Sequence, residues 1–327
     1  MTYQDYFLKG DVLRPGQRDC ATRYALIEPI VARYTRPVTV LDLGANLGYF
    51  GLRLAHDLGA VSVMIDDGDD LVTTCAANDL PTTIALQRRL TCDDLEELAA
   101  CEHFDVVLAL NILHHFEDYR RALRAVLRLG EHILIEVPGP DDTGACGQDR
   151  LSPLRALLDA ESPRLLGLAP SHTTPGVMRE ILHLTRPKRE LTKPYWGSER
   201  LGAPPMRAHT ILSTHHEKAF VMAEKDEART WFPGINLMTY LQCGGVWPRP
   251  SRVATIIRRA YDEALTEAGF INLAHGDVAP WNFVLRGDRA TLIDWNDPRQ
   301  CEHDDTLGLQ HTLRAVERPS AAYEGRT

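Results

Sequence analysis

No run of about eighteen apolar residues occurs in this sequence, so no membrane-spanning helix is predicted. The opening residues, MTYQDYFLKGD, hold no apolar stretch and do not read as a secretory signal. No CxxC pair is present either. The cysteines Cys20, Cys75, Cys92, Cys101, Cys146, Cys243 and Cys301 are odd in number and scattered. That pattern indicates neither a disulfide framework nor a zinc knuckle, and a reducing cytoplasmic setting is the simplest expectation. Positive charge is short as well, with 36 Lys and Arg against 45 Asp and Glu and a formal net charge of -9. A broad nucleic-acid surface needs the opposite balance, because phosphates are held mainly by Lys and Arg, so no nucleic-acid partner is expected. The most basic stretch, Arg179 to Arg200, reads as a solvated face.

What is present has the balance of a folded enzyme. The 327 residues are 44% hydrophobic and 25% charged, enough for one large domain or two modest ones. The pattern from 19 to 34 predicts a helix that contains Pro29. Apolar strands are predicted over Val38–Asp42, Val61–Ile65, Thr83–Leu86, Phe104–Leu110 and His132–Val137, with helices over Tyr49–Asp57 and Asp118–Leu129 between them. Strands that are apolar on both faces and alternate with helices specify a parallel sheet covered on both sides. In such sheets ligands bind beyond the carboxyl ends of the strands, at the switch point. After Pro138 a Gly- and Asp-rich loop runs to about residue 150, and helical pieces follow. Glu190–Trp196 and Met206–Ser213 are candidate closing strands, and a domain boundary is expected near 214/215.

The main chemical signal is Asp42-Leu43-Gly44-Ala45-Asn46-Leu47-Gly48, a loop between a strand and a helix. Gly44 allows a tight turn and close backbone approach to a ligand. Asp42, two positions earlier, can sit beneath the loop. The G-x-G-x-x-G fingerprint is absent, which disfavours a nicotinamide dinucleotide. Asp66 and Asp67 end the next strand, 22 and 23 residues after Gly44, where a carboxylate accepting two hydroxyl protons can hold a ribose.

This segment resembles motif I of class I S-adenosylmethionine-dependent methyltransferases, with Asn46 where the middle glycine is common. The resemblance covers about residues 20–138. It implies a Rossmann-like α/β fold, a mostly parallel seven-stranded sheet with helices on both faces, and S-adenosylmethionine as cofactor. By it, Asp42, Gly44, Ala45, Asn46 and Gly48 form the cofactor loop, Asp66 and Asp67 meet the ribose, and Asp93 or Asp94 meets the adenine. The segment Asn111-Ile112-Leu113-His114-His115-Phe116 lies by the same resemblance beside the methionine moiety. Tyr3-Gln4-Asp5-Tyr6-Phe7 and Arg18-Asp19-Cys20-Ala21-Thr22-Arg23-Tyr24 resemble the start of the methyltransferase half of bacterial O-antigen chain-terminating enzymes, which join a methyltransferase to a kinase. That likeness implies that Tyr3 and Arg23 close over the cofactor, Arg23 pairing with its carboxylate. His114, His115 and Glu136 are candidate general bases, and a phosphate or carboxylate acceptor would need none.

A second constellation stands near the end: His275-Gly276-Asp277 with Asn282, then Asp294, after a predicted hairpin turning at Gly287-Asp288. It resembles the catalytic loop and metal-binding strand of aminoglycoside-phosphotransferase-like kinases. By that resemblance Asp277 orients an acceptor hydroxyl, while Asn282 and Asp294 hold magnesium. About 60 residues separate His215 from His275, too few for an ordinary N-terminal lobe, and no glycine-rich phosphate loop occurs there. Lys225 is the one tempting lysine. The expected architecture is a methyltransferase domain over 1–214 and a kinase-like α+β extension lacking an N-lobe over 215–327. Trp231, Pro233, Tyr240, Trp247 and Trp281 offer either a glycan-binding surface or core packing. Three readings stay open: methyl transfer to a small molecule or glycan, a bifunctional kinase and methyltransferase, and a binding protein that keeps the cofactor fold as a scaffold.

Overall fold

The structure is a computed structural model that describes residues 2–35, 38–187, 235–242, 250–269, 278–292 and 305–317. The chain forms two compact units, 1–192 and 193–327. The boundary expected near 214/215 lies outside the described residues, as do the expected strands at 190–196 and 206–213.

The first unit begins with an antiparallel hairpin, β1 (Tyr6–Leu8) and β2 (Asp11–Arg14). Helix α1 (Cys20–Val31) follows and starts where the Asp19 carboxylate accepts from the Thr22 backbone N–H. Pro29 sits inside this helix in its last turn, where it has no N–H to return to the Ala25 carbonyl. Then come β3 (Thr39–Leu43), α2 (Tyr49–Leu58), β4 (Val61–Asp66), α3 (Asp69–Asn78), β5 (Thr83–Gln87), α4 (Cys92–Cys101) and β6 (Phe104–Leu110). The unit continues through α5 (Tyr119–Val126), β7 (Gly130–Glu136), α6 (Gln148–Ala160), β8 (Arg164–Pro170) and β9 (Met178–Thr185).

Seven strands make one sheet in the order β5-β4-β3-β6-β7-β9-β8. The first five run parallel, while β9 pairs antiparallel with both β7 and β8. Every residue of β3 and β6 is buried, as strands covered on both faces require. The order reverses between β3 and β6, so their carboxyl ends flank the crevice where ligands bind in such sheets.

Two expectations are corrected here. The closing pair of strands falls at 164–170 and 178–185, in the stretch expected to be helical. Strand β8 is largely solvent-facing at an edge, and its Gly167 and Pro170 are residues that strand interiors disfavour. Arg179, placed at the start of a solvated basic face, is 1% exposed. It lies on β9 and pairs with the buried Asp142, which removes the penalty of an isolated buried charge.

The second unit has a three-stranded antiparallel sheet, β10 (Ile235–Asn236), β11 (Phe283–Arg286) and β12 (Arg289–Leu292), with helices α7 (Leu237–Gln242), α8 (Pro250–Gly269) and α9 (Asp305–Glu317). Helix α8 buries Val253, Ile256, Ile257, Ala260 and Tyr261 along one helical face, and α9 buries Leu309, Leu313 and Val316 in the same way. The hairpin between β11 and β12 turns at Gly287-Asp288 as predicted, with Gly287 at a φ of 62°.

Candidate active site at the carboxyl ends of β3, β4 and β6

Strand β3 delivers the loop 44–48 directly. The Gly44 and Ala45 amides donate to the Ile65 carbonyl at 2.9 and 3.0 Å, which fastens the loop across β4. Gly44 and Asn46 both adopt positive φ, 69° and 54°. Asn is the non-glycine residue that most readily takes this conformation, so Asn46 replaces a glycine without large strain. A Cβ on Gly44 would lie 2.7 Å from the Ile112 side chain, so the loop approaches the segment after β6 closely.

Asp66 ends β4 and spans the loop mouth. One carboxylate oxygen accepts from the Asn46 amide at 2.7 Å and the other from the Gly68 amide at 2.9 Å. Asp67, next to it, is exposed. Asp42 lies beneath the loop, 2% exposed, and one of its oxygens has no hydrogen-bond partner. Burial pushes its carboxyl up to about 7, against the opposing effects of a backbone bond from Gly51 and the charge of Arg18. The Asn46 side-chain oxygen is likewise buried and unpartnered. A close-approach glycine, an exposed acid at the strand end and two orphaned oxygens fit a ligand bearing hydroxyl and amino groups, as S-adenosylmethionine does.

Asp93 and Asp94 open α4. Asp94 forms a capping box with Thr91 and pairs with Arg88. Burial raises its carboxyl, but Arg88 and Thr91 outweigh this and hold it low. Asp93 pairs with Arg121 and is largely exposed. Both acids therefore have protein partners that an adenine amine would have to share.

At the end of β6, Asn111 has a φ of 72° and is held by three bonds. Its amide nitrogen donates to the Tyr3 hydroxyl at 3.1 Å, its side-chain oxygen accepts from Arg179 at 2.8 Å, and its backbone N–H reaches the Glu136 carbonyl at 2.8 Å. Tyr3 packs edge-on against His172 and lies against the Arg18 guanidinium. The N-terminal segment thus reaches the end of β6 through Tyr3.

Glu136 and Arg23 are placed differently from expectation. The Arg23 fork spans Glu136, with Nε and Nη2 at 2.7 and 2.9 Å, and Arg18 adds a third bond at 2.7 Å. All three side chains are buried. Burial alone would raise the Glu136 carboxyl, but the two guanidiniums overcome it and hold it down to about 2. A carboxylate so enclosed is a poor general base, and the Arg23 fork is already filled by it. Their role is to lock α1 onto the end of β7.

His114 and His115 lie in a short turn of 3₁₀ helix, 113–115, with ring centroids 4.3 Å apart and the rings tilted by 37°. His114 is 2% exposed and burial, with His115 and Arg179 nearby, pushes its imidazole down to about 3. His115 is exposed and also lowered, by desolvation and by Arg150. Of the two rings, His115 is the solvent-exposed one.

The Asp142 network has no signature in the sequence. Asp142 accepts from Arg179 at 2.6 Å, Ser171 at 2.8 Å, Thr173 at 2.7 Å and Thr174 at 2.6 Å. These bonds overcome burial and bring its carboxyl down to about 2. The Gly- and Asp-rich composition of this loop carried no sign of partners some 30 residues away. In the second unit Asn282 is buried and its turn leads into β11, while Asp277 and Asp294 lie outside the described residues. Tyr240 is buried, which agrees with core packing over a binding surface at that position.

Residues 41–131 match the family model described as a methyltransferase domain. The matched stretch holds the Gly44–Gly48 loop, Asp66 and the turn at 113–115, which puts a methyltransferase domain in the first unit. The particular likeness is to two curated Escherichia coli proteins, each named O-antigen chain terminator bifunctional methyltransferase/kinase WbdD. They are 27% identical over 381 aligned positions, covering 93% of this chain. The chain spans about half the length, 52%, of these relatives. Among solved structures, that of the bifunctional kinase-methyltransferase WbdD aligns with a TM-score of 0.46 at 19% identity, covering 95% of this chain and 92% of the other. The N-terminal domain of EvdMO1, solved in the presence of SAH and D-fucose, aligns with a TM-score of 0.42 at 17% identity, covering 57% and 91%.

Proposed function

We propose that this protein transfers a methyl group from S-adenosylmethionine to an oxygen of a saccharide, a phosphorylated saccharide or a comparable small molecule. The observation that carries the reading is the Asp66 carboxylate bonded across the mouth of the Gly44–Gly48 loop, at the switch point of the sheet. The family match over 41–131 and the curated relatives support it. The bound cofactor would supply an electrophilic methyl on a sulfonium centre.

The chain's own residues would do the rest. Gly44, Ala45, Asn46 and Gly48 present backbone to the cofactor, with Asp42 beneath them and Asp66 and Asp67 on the ribose. Asn111 and Tyr3 border the methionine end, and Asp93 or Asp94 lies toward the adenine. Arg23 and Glu136 brace this rim from behind. His115 is the residue to take a proton from a hydroxyl acceptor, while His114 stays neutral and packs beneath it. A phosphate acceptor would need neither.

The motif around Asn282 is, in this reading, a kinase-derived extension kept for structure or acceptor contact. What favours that over a working kinase is the missing N-lobe and phosphate loop in the sequence between 215 and 275. Among the described residues no helix is long and apolar enough to cross a membrane, and a cytoplasmic enzyme fits this.

The test is calorimetric titration with S-adenosylmethionine and, separately, with ATP and magnesium, on wild type and Asp66→Ala. Micromolar cofactor binding that Asp66→Ala abolishes, with no heat from ATP, is the expected result. Heat from both ligands would favour the bifunctional reading. Absence of cofactor binding in the wild type would leave a scaffold protein.

A further inference from the structure

We propose that His114, His115 and Cys146 bind a thiophilic divalent metal ion, of which zinc is the type, at the edge of the methyl-transfer crevice. One donor atom from each residue lies within 4.8 Å of the other two. The Cys146 sulfur stands 3.5 Å from His115 Nδ1. A tetrahedral zinc with nitrogen at about 2.0 Å and sulfur at about 2.3 Å holds such a pair about 3.5 Å apart. The sulfur and His115 therefore already have the edge length of a metal tetrahedron. Closing the triad needs the third donor, within 4.8 Å of the other two, to turn toward them.

The backbone around these side chains is built to hold them. Gly147 sits so close to the turn carrying the histidines that a Cβ would lie 2.8 Å from the His114 carbonyl oxygen. Its φ of 65° then sends the chain into α6. One Arg150 nitrogen lies 3.2 to 3.4 Å from the carbonyls of His114, His115 and Phe116. The Gln148 amide bonds the carbonyls of Asp142 and Ala145. Cys146 is thus pinned against His115 by its neighbours on both sides. His114, 98% buried by its 2% exposure, has an Nδ1 with no hydrogen-bond partner. An imidazole nitrogen left bare in a protein interior is costly unless something coordinates it.

The surrounding charges decide the choice of ion. Arg150 and Arg179 are cations near the pair, and Asp67 and Glu136 are the facing anions. Arg179 is neutralised by Asp142, and Arg150 points at carbonyl oxygens. A thiolate with two neutral imidazoles in this setting selects zinc-like ions over magnesium or calcium, which prefer several oxygens. Three protein donors leave a fourth position for water or for an acceptor oxygen, as in catalytic zinc sites. This last role rests on the methyltransferase reading above and gives the bound ion, in place of a free His115 imidazole, the part of activating the acceptor; the binding itself does not rest on that reading.

The test uses the full chain, freed of metal by a chelator under reducing conditions, and titrated with Co²⁺ as a spectroscopic stand-in for zinc. Wild type is expected to develop thiolate-to-cobalt charge transfer and the visible bands of a tetrahedral ion, both displaced by Zn²⁺. Cys146→Ser should lose the charge-transfer band, and His115→Ala should weaken Co²⁺ binding by about tenfold or more. Cys92→Ser serves as a thiol control that keeps the full signal. Melting temperature and the heat of S-adenosylmethionine binding, read on the same samples, identify a variant that has failed to fold. Absence of the charge-transfer band in wild type, or its survival in folded Cys146→Ser, overturns the site. Loss of cofactor heat in wild type counts against the methyltransferase reading alone, and the cobalt spectra still decide the metal.

Discussion

Asp42 is a carboxylate kept from water beneath the loop that it supports. Its folded-state value of about 7 lies above the ordinary 3.8, so the folded chain binds the extra proton between those limits. Stability from this group therefore falls as pH rises from about 4 to 7. Asp42→Asn is expected to raise the melting temperature of the ligand-free protein at pH 8, with no gain near pH 4, and to weaken cofactor affinity. Differential scanning fluorimetry and calorimetry across that range would show both effects. Glu136 behaves oppositely, because its charge is enclosed by Arg18 and Arg23. Glu136→Gln leaves those guanidiniums buried without a counter-charge and should cost about 3–5 kcal/mol in urea unfolding.

Among the elements, α4 starts on a local device. Thr91 and Asp94 bond reciprocally at its start, the Thr-x-x-acid form of a capping box. Thr91→Ala removes the acceptor for the Asp94 amide and should lower stability by about 1 kcal/mol in denaturant unfolding. Cofactor affinity should be unaffected if adenine is met from elsewhere, and reduced if Asp94 must hold that orientation. The buried strands β3 and β6 were legible for the same kind of local reason, since runs in which Asp42 and Asp105 are the only charged residues leave little else to form. Strand β8 was not, because an edge strand with exposed Leu165 and Leu168 lacks a buried-strand pattern.

Across the first unit, acid should act in two stages. His114, His172 and His183 are held near 3, 4 and 4 by burial and neighbouring cations. The unfolded chain takes up their protons first, so stability falls as pH drops below about 6.5. Glu136 and Asp142, both near 2 when folded, add a steeper loss as pH falls from about 5 toward 2. Urea midpoints measured from pH 8 to pH 3 should show a shallow decline followed by a steep one. A flat profile down to pH 5 would mean that these histidines gain protons in the folded state.

The sequence by itself determined the β-loop-α unit around Gly44, the acid at the end of β4 and the run into His114 and His115. Each is fixed by residues within a few positions of one another, where turn geometry and strand burial act directly. Only the tertiary structure decided which charges meet. Arg23 finds Glu136 across 113 residues, and Arg179 finds Asp142 across 37. It also set Cys146 against His115, 31 residues away and without any metal-ligand spacing in the sequence. Pairings of that kind depend on where β7, β9 and α6 pack, and side-chain chemistry alone carries no record of that distance.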